Sequence, residues 1–287
     1  MTPASAARVQ DTGGAATALQ REQQLEQWLR EHGSVIIAFS GGVDSAYLAA
    51  VATRVLGDAA LAVTAESESY PVEHREMAER LAREHGLRHE FIHTAEIEVA
   101  AYRANGPDRC YHCKNELYSH LCALAERRGF AVVVDGSNAD DRGDYRPGRQ
   151  AAREYGVLSP LDALGFTKDD IRERSRALGL PTWNIPASAC LSSRVPYHSE
   201  VTPEKLRAIE DAETALRAIG FRVCRVRHHG EVARLELGRD ELARAVDPDV
   251  AARIVAGVKA AGFRFVTLDL QGYRLGSFNE PFRLRPV

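Results

Sequence analysis

Apolar positions along the chain alternate between two periods. Val35-Ile36-Ile37-Ala38-Phe39, Ala60-Leu61-Ala62-Val63-Thr64, His89 to Ile92 and Val132-Val133-Val134 are short runs of the length and β-branched character of buried strands. Between them, Ala46 to about Arg54 and Val72 to Glu84 carry helical spacing, the second closed by Gly86. Ahead of the first run, Leu25, Trp28 and Leu29 recur among Gln, Glu and Arg, with Leu19 a first contact. This spacing predicts an amphipathic helix over 19–32, stopped by Gly33 and docked on the first sheet. Strands alternating with helices imply βαβ units, hence a parallel sheet with right-handed crossovers and a ligand crevice at the strands' C-terminal ends.

The pattern changes after about Thr202. A helix over 203–219 precedes alternating strands at 221–227 and 233–237, helical stretches at 240–246 and 248–261, and a strand at 263–270. That αββααβ order predicts a small α/β companion domain. Residues 1–18, rich in Ala, Thr, Ser and Gly without periodicity, read as a flexible tail. The expected division is therefore tail 1–18, first domain 19–198 and second domain 199–287.

Composition narrows the class. The chain has 287 residues, 45% hydrophobic and 27% charged, with a formal net charge of −3. This suits one large or two smaller domains and gives no uniformly basic nucleic-acid surface. No apolar run approaches the ~20 residues of a membrane helix, and the N-terminus has no signal-peptide core, so a cytoplasmic protein is expected. Five cysteines, an odd number, favour thiol, metal or catalytic roles over a disulfide framework. Cys122 and Cys224 fall within apolar patterns and read as buried structural thiols.

Chemistry concentrates where the strands end. Ser40-Gly41-Gly42-Val43-Asp44-Ser45 follows the first strand and opens a helix. Its glycines permit close backbone approach to an anion, Ser40 and Ser45 offer hydroxyls, and the helix adds unsatisfied N–H groups. Asp44 is placed to cap the helix or approach Mg²⁺. The spacing is not GxxxxGK[ST]; it resembles the PP-loop of ATP pyrophosphatases, whose SGGxDS holds pyrophosphate while the α-phosphorus is attacked. A tight turn with an Asp-Ser cap is the plainer alternative. Thr64, after the second strand, and Gly136, in Asp135-Gly136-Ser137-Asn138, face the same crevice and join the expected nucleotide ligands; Asp140, Asp141 and Asp144 add carboxylates.

Arg109-Cys110-Tyr111-His112-Cys113-Lys114 precedes a helical pattern containing Leu117, Leu121 and Leu124. A lone CxxC is open to redox, zinc or accidental readings. A third cysteine would make three ligands of an iron–sulfur cluster with one open iron, and Cys190 is the candidate. It lies in Pro186-Ala187-Ser188-Ala189-Cys190-Leu191-Ser192-Ser193-Arg194-Val195-Pro196-Tyr197, small hydroxyls between prolines, a composition suited to an ordered active-site loop. In the last third, Arg225 and Arg227 share one face of a strand, a geometry able to grip a phosphate; Arg222 and Arg234 lie near, and Arg274, Glu231 and Glu236 are weaker candidates.

AFSGGVDS, RCYHCK, DGSNADD, PASACLSSRVPY and GYRLGSFNE together resemble the LarE family over about residues 30–280. Its members are ATP-dependent sulfur transferases that make the nickel-pincer nucleotide cofactor. The resemblance implies a PP-loop domain of the adenine nucleotide alpha hydrolase-like fold, ATP and Mg²⁺ as cofactors, and a homo-oligomer. It further implies adenylation of the carboxylates of pyridinium-3,5-biscarboxylic acid mononucleotide. Ser40, Gly41, Gly42, Asp44, Ser45, Thr64 and Gly136 are then the nucleotide ligands, and Ser193, Arg194, Arg225, Arg227 and Arg274 the substrate ligands. Cys190 is either a sacrificial sulfur donor or, with Cys110 and Cys113, a ligand of a [4Fe-4S] cluster. Two other classes compete: a tRNA-thiolating enzyme, to which the net charge lends no support, and an ammonia-using PP-loop synthetase or amidotransferase, which leaves the CLSSR segment without a purpose.

Overall fold

The computed structural model describes residues 16–143, 147–185 and 189–274. Most of the expected tail, Asp144, Pro186–Ser188 and the end of the GYRLGSFNE segment lie outside the described residues.

The first half carries four parallel strands, β1 (Val35–Ala38), β2 (Ala60–Glu66), β3 (His89–His93) and β4 (Val132–Val134), in the order β3-β2-β1-β4. Its helices are α1 (Ala18–His32), α2 (Val43–Leu56), α3 (Val72–Glu84), α4 (Ala100–Arg103), α5 (Arg109–Arg128), α6 (Gly148–Glu154), α7 (Pro160–Ala163) and α8 (Lys168–Ala177). β1 is central and wholly buried, which is why its sequence is apolar without alternation. Its two faces feed different cores. Val35 and Ile37 pack with α1, α2, α3 and α8, whereas Ile36 and Ala38 pack with the long helix α5 and with α6. The CxxC is thus not ahead of its helix but in the first turn of α5, Cys110 and Cys113 three residues apart on one face.

α1 opens on a capping box of Thr17 and Gln20. It docks on α2 and α8 through Leu25 and Leu29 and through a buried carboxylate, Glu22, which accepts from Tyr47, Arg54 and Arg174 at 2.9 Å each. Burial opposes the charge of Glu22, but these three donors outweigh it and hold the carboxyl below its ordinary range.

The second half contains α9 (Pro203–Ala218), β5 (Cys224–His229), β6 (Val232–Leu237), α10 (Leu242–Ala245), α11 (Pro248–Ala260) and β7 (Phe265–Leu268), the αββααβ order expected. The sheet order is β5-β6-β7, antiparallel then parallel. β5 starts later than its apolar pattern does because the N–H groups of Arg222 and Val223 donate to the Glu241 carboxylate instead of joining the ladder. Cys224, Val226, Ala233, Leu235 and Leu237 face α9 and α11. Leu191, Val195 and Val201 enter the same core together with Tyr102 of α4, so the Cys190 segment is seated where the two halves meet. Among the described residues no helix is long and apolar enough to cross a membrane.

Candidate active site

The phosphate loop leaves β1 at the point where the strand order reverses between β1 and β4. Gly41 takes φ +72°, the left-handed region that favours glycine, which lets the chain turn back into α2. The Ser45 hydroxyl lies 3.1 Å from that of Ser40, accepts the Ser40 N–H at 3.2 Å and donates to the Gly42 carbonyl at 3.2 Å. These bonds close the loop over the start of α2 and bring two hydroxyls, several N–H groups and the helix dipole to one place.

The α2 cap is Gly42, not Asp44. Asp44 sits in the first turn and forms an ion pair with the ammonium of Lys168, the first residue of α8. The backbone N–H of Lys168 donates to Asp140 at 2.8 Å, and the Asp141 carboxylate accepts the Asn138 N–H at 3.0 Å, so both carboxylates help shape the loop after β4. Gly136 is placed by packing: a Cβ there would lie 3.0 Å from the Ser45 N and 3.3 Å from the Asp44 Cβ. A side chain there would force this loop or the α2 terminus to give by a few tenths of an ångström. Thr64 is 1% exposed, donating to the Phe39 carbonyl just ahead of the phosphate loop and sharing a 2.8 Å hydrogen bond with His89, so its hydroxyl fixes β2 to its neighbours.

The Cys190 loop is stitched in place by side chains from both halves. Arg109 donates to the Ser192 carbonyl at 2.8 Å, and the Tyr102 and Ser192 hydroxyls are 2.6 Å apart. Asn105 donates to the carbonyls of Pro196 and Ser199. Arg194, 1% exposed, forms a fork-to-fork pair with Glu213 of α9 (2.9 and 3.1 Å) and reaches back to the carbonyls of Ala189 and Cys190. Arg194, expected as a substrate ligand, therefore holds the loop from within. Burial works against Glu213, yet Arg194 holds its carboxyl below the usual range.

Arg109, which grips this loop, is adjacent to Cys110, and Cys113 packs on the core containing Leu191. Burial pushes the Cys110 and Cys113 thiols up, Cys113 strongly; the Arg109 charge opposes this at Cys110, whereas Glu96 and then Cys190 add to it at Cys113. Cys110 nevertheless reaches solvent, whereas Cys113 and Cys190 are half-buried. Among the described residues no group of three or more His, Cys, Asp or Glu is placed to hold a metal ion. Cys122 and Cys224 lie apart; Cys224 is 2% exposed, with burial pushing its thiol up to about 12.

Arg225 and Arg227 do share one face of β5, opposite the apolar one, with Glu236 and Arg234 facing them across β6. Arg227 is committed to Glu236 (2.7 Å) and to the Ser193 carbonyl (2.9 Å). Arg225 donates to the Cys224 carbonyl and lies over the Tyr273 ring at 5.3 Å, beside Arg274. Glu231, by contrast, pairs with Arg264 on the surface. Sequence patterns gave no sign of three further residues at the site: Lys168, Tyr70, whose hydroxyl donates to the Ser40 carbonyl at 3.1 Å, and His74, whose ring meets that of Tyr70 at 5.8 Å. Burial, then Arg194 and Arg225, push the His74 imidazole down to about 4, so it is neutral near pH 7.

A parallel sheet whose first strand runs through SGGVDS into a helix defines a PP-loop protein, and the comparisons agree. The family described as asparagine synthase matches residues 22–142, from α1 through the β4 loop. The chain is 38% identical over 267 residues to the pyridinium-3,5-bisthiocarboxylic acid mononucleotide synthase of Lactiplantibacillus plantarum, covering 92% of this chain and 96% of that protein. It is 44% identical to an uncharacterized protein of Synechocystis, over 90% and 96% of the two chains. One subunit of the glutamine-hydrolyzing GMP synthase of Methanopyrus kandleri is 29% identical over 67% of this chain and 65% of its own. The chain belongs to the LarE family, that of the Lactiplantibacillus synthase.

Proposed function

We propose that the protein is an ATP-dependent sulfur transferase that adenylates the carboxylates of pyridinium-3,5-biscarboxylic acid mononucleotide and converts them to thiocarboxylates for the nickel-pincer cofactor. The observation that supports this best is that one turn ties the phosphate loop to the loop carrying Cys190: the Tyr70 hydroxyl donates to the Ser40 carbonyl and the Ser69 carbonyl accepts the Leu191 N–H. A PP-loop alone is common to several chemistries. A rigidly held thiol beside it points to sulfur.

In this reading a substrate carboxylate oxygen attacks the α-phosphorus of ATP and pyrophosphate leaves into the loop of Ser40, Gly41, Gly42 and Ser45. Lys168 turns from Asp44 to the departing phosphates, which frees Asp44 for Mg²⁺. Arg225 and Arg274 hold the substrate phosphate beside Ser193, whose carbonyl Arg227 braces. A sulfur nucleophile then attacks the acyl carbon and AMP departs, because adenylate is a far better leaving group than oxide.

Two sulfur sources fit the residues. Cys110, Cys113 and Cys190 would hold a [4Fe-4S] cluster, three soft thiolates leaving one iron open to carry an added sulfide. The presence of all three cysteines, two in the CxxC and one in the Cys190 loop, favours this source. The other source is Cys190 itself, which attacks the adenylate and gives up its own sulfur, leaving dehydroalanine. Iron and acid-labile sulfide in protein purified without oxygen separate them. About four of each per chain, lost in Cys110→Ala, supports the cluster; no iron after reconstitution, with a protein mass reduced by one H₂S after reaction, supports sacrifice. The function itself is tested by release of AMP and pyrophosphate from ATP that depends on the dicarboxylate mononucleotide. Dependence on tRNA or on ammonia would overturn it. The homo-oligomer implied by the family belongs to the same reading and is checked by sedimentation.

A further inference from the structure

The proposed reaction needs two loops in register: the phosphate loop, where the carboxylate is activated, and the Cys190 loop, where sulfur is delivered. One turn touches both. Residues Ser67–Tyr70 follow β2 and close with the Tyr70 N–H donating to the Ser67 carbonyl at 3.0 Å. At one end of the turn the Tyr70 hydroxyl donates to the Ser40 carbonyl at 3.1 Å. One residue earlier, the Ser69 carbonyl accepts the N–H of Leu191, the neighbour of Cys190, at 2.9 Å.

The turn is anchored from behind by a single carboxylate. Glu96, 3% exposed, accepts from the Ser67 hydroxyl at 2.6 Å and the Ser69 hydroxyl at 2.7 Å through one oxygen, and from the Thr94 hydroxyl at 3.0 Å through the other. A buried carboxylate fully occupied by short hydroxyl bonds has little freedom to shift without breaking several of them. The grip on Ser40 has a defined consequence for anion binding. A trans peptide unit is planar, so fixing the Ser40 carbonyl also fixes the Gly41 N–H at the other side of the same unit. Gly41 is the residue at φ +72°, where the loop reverses and its N–H direction would otherwise be least constrained.

We propose that the Ser67–Tyr70 turn, with Glu96 as its anchor, is a positioning element that couples anion binding at the phosphate loop to the placement of Cys190. Tyr70 and Glu96 act through backbone groups and touch neither reacting atom. The inference rests on the phosphate-loop reading above and is independent of which carboxylate is the substrate or where the sulfur originates.

The test uses the full chain, magnesium pyrophosphate as probe, calorimetry for binding, and hydrogen exchange followed on the peptide spanning residues 189–195. In the wild type, pyrophosphate is expected to bind and to slow exchange in that peptide. Tyr70→Phe removes one hydroxyl and keeps the ring against His74. It is expected to weaken pyrophosphate binding roughly fivefold, the scale of one lost hydrogen bond, to abolish the ligand's effect on 189–195, and to leave Tm nearly unchanged. Glu96→Gln is expected to speed exchange at 189–195 without ligand. Wild-type binding that leaves 189–195 untouched, or a Tyr70→Phe protein that binds and protects as the wild type does, overturns the coupling alone. A wild type that binds no pyrophosphate overturns the phosphate-loop reading and the coupling with it.

Discussion

Arg194 and Glu213 form a pair with both side chains almost fully withdrawn from water (2% and 3% exposed). Such a pair gains little net stability, but removing one member strands the other charge. Glu213→Ala is therefore expected to cost about 3–5 kcal/mol in denaturant unfolding, while replacing both partners by apolar residues costs much less. His74 gives a pH signature. Its imidazole titrates near 6.5 in the unfolded chain but near 4 when folded, because burial and then Arg194 and Arg225 oppose its charge. Below about pH 6.5 the unfolded state binds the extra proton, so stability is full above that value and falls as pH drops towards 4, by at most about 1.4 kcal/mol per pH unit. His74→Gln should flatten this part of a urea-midpoint profile; an unchanged slope would show that the ring is not buried as described. Gly136→Ala pushes a methyl against the Ser45 nitrogen and is expected to cost about 1–3 kcal/mol while weakening ATP binding.

At the scale of elements, the parallel strands were legible because a central strand buried on both faces needs an uninterrupted apolar run, and β1 has one. α3 was legible to the residue at both ends because Pro71 and Gly86 bound it. The start of α5 was hidden, since Arg109-Cys110-Tyr111-His112-Cys113-Lys114 has no apolar period and its turn is held by contacts to the distant Cys190 loop. Lys168 was equally invisible beside Asp44, because 124 residues separate them and only the fold brings them together. The same holds for the cap of α3. Pro71 offers no side-chain oxygen, and the Val72 N–H is taken instead by Glu210 of α9 at 2.7 Å, with Arg217 and Glu73 paired alongside at 3.1 Å. Glu210→Ala is expected to cost about 1 kcal/mol and to raise hydrogen exchange in the first turn of α3; unchanged exchange there would mean that the contact does not tie the halves together.

For the whole molecule, the two halves divide the work. The first supplies an anion-binding loop at the switch point of a parallel sheet, where such sheets bind ligands. The second supplies a charged sheet face and the core that seats the Cys190 loop. Family membership and the meeting of these parts lead to the same account: carboxylate activation on one side of the crevice and sulfur delivery from the other. Its central claim is most directly tested by a single-turnover reaction of ATP with pyridinium-3,5-biscarboxylic acid mononucleotide, comparing wild type with Cys190→Ser and following product by mass. The account predicts that wild type replaces a carboxylate oxygen by sulfur as AMP and pyrophosphate appear, and that Cys190→Ser still releases pyrophosphate but forms no thiocarboxylate. Thiocarboxylate from Cys190→Ser at the wild-type level, or an amide in place of a thiocarboxylate from the wild type, would contradict it.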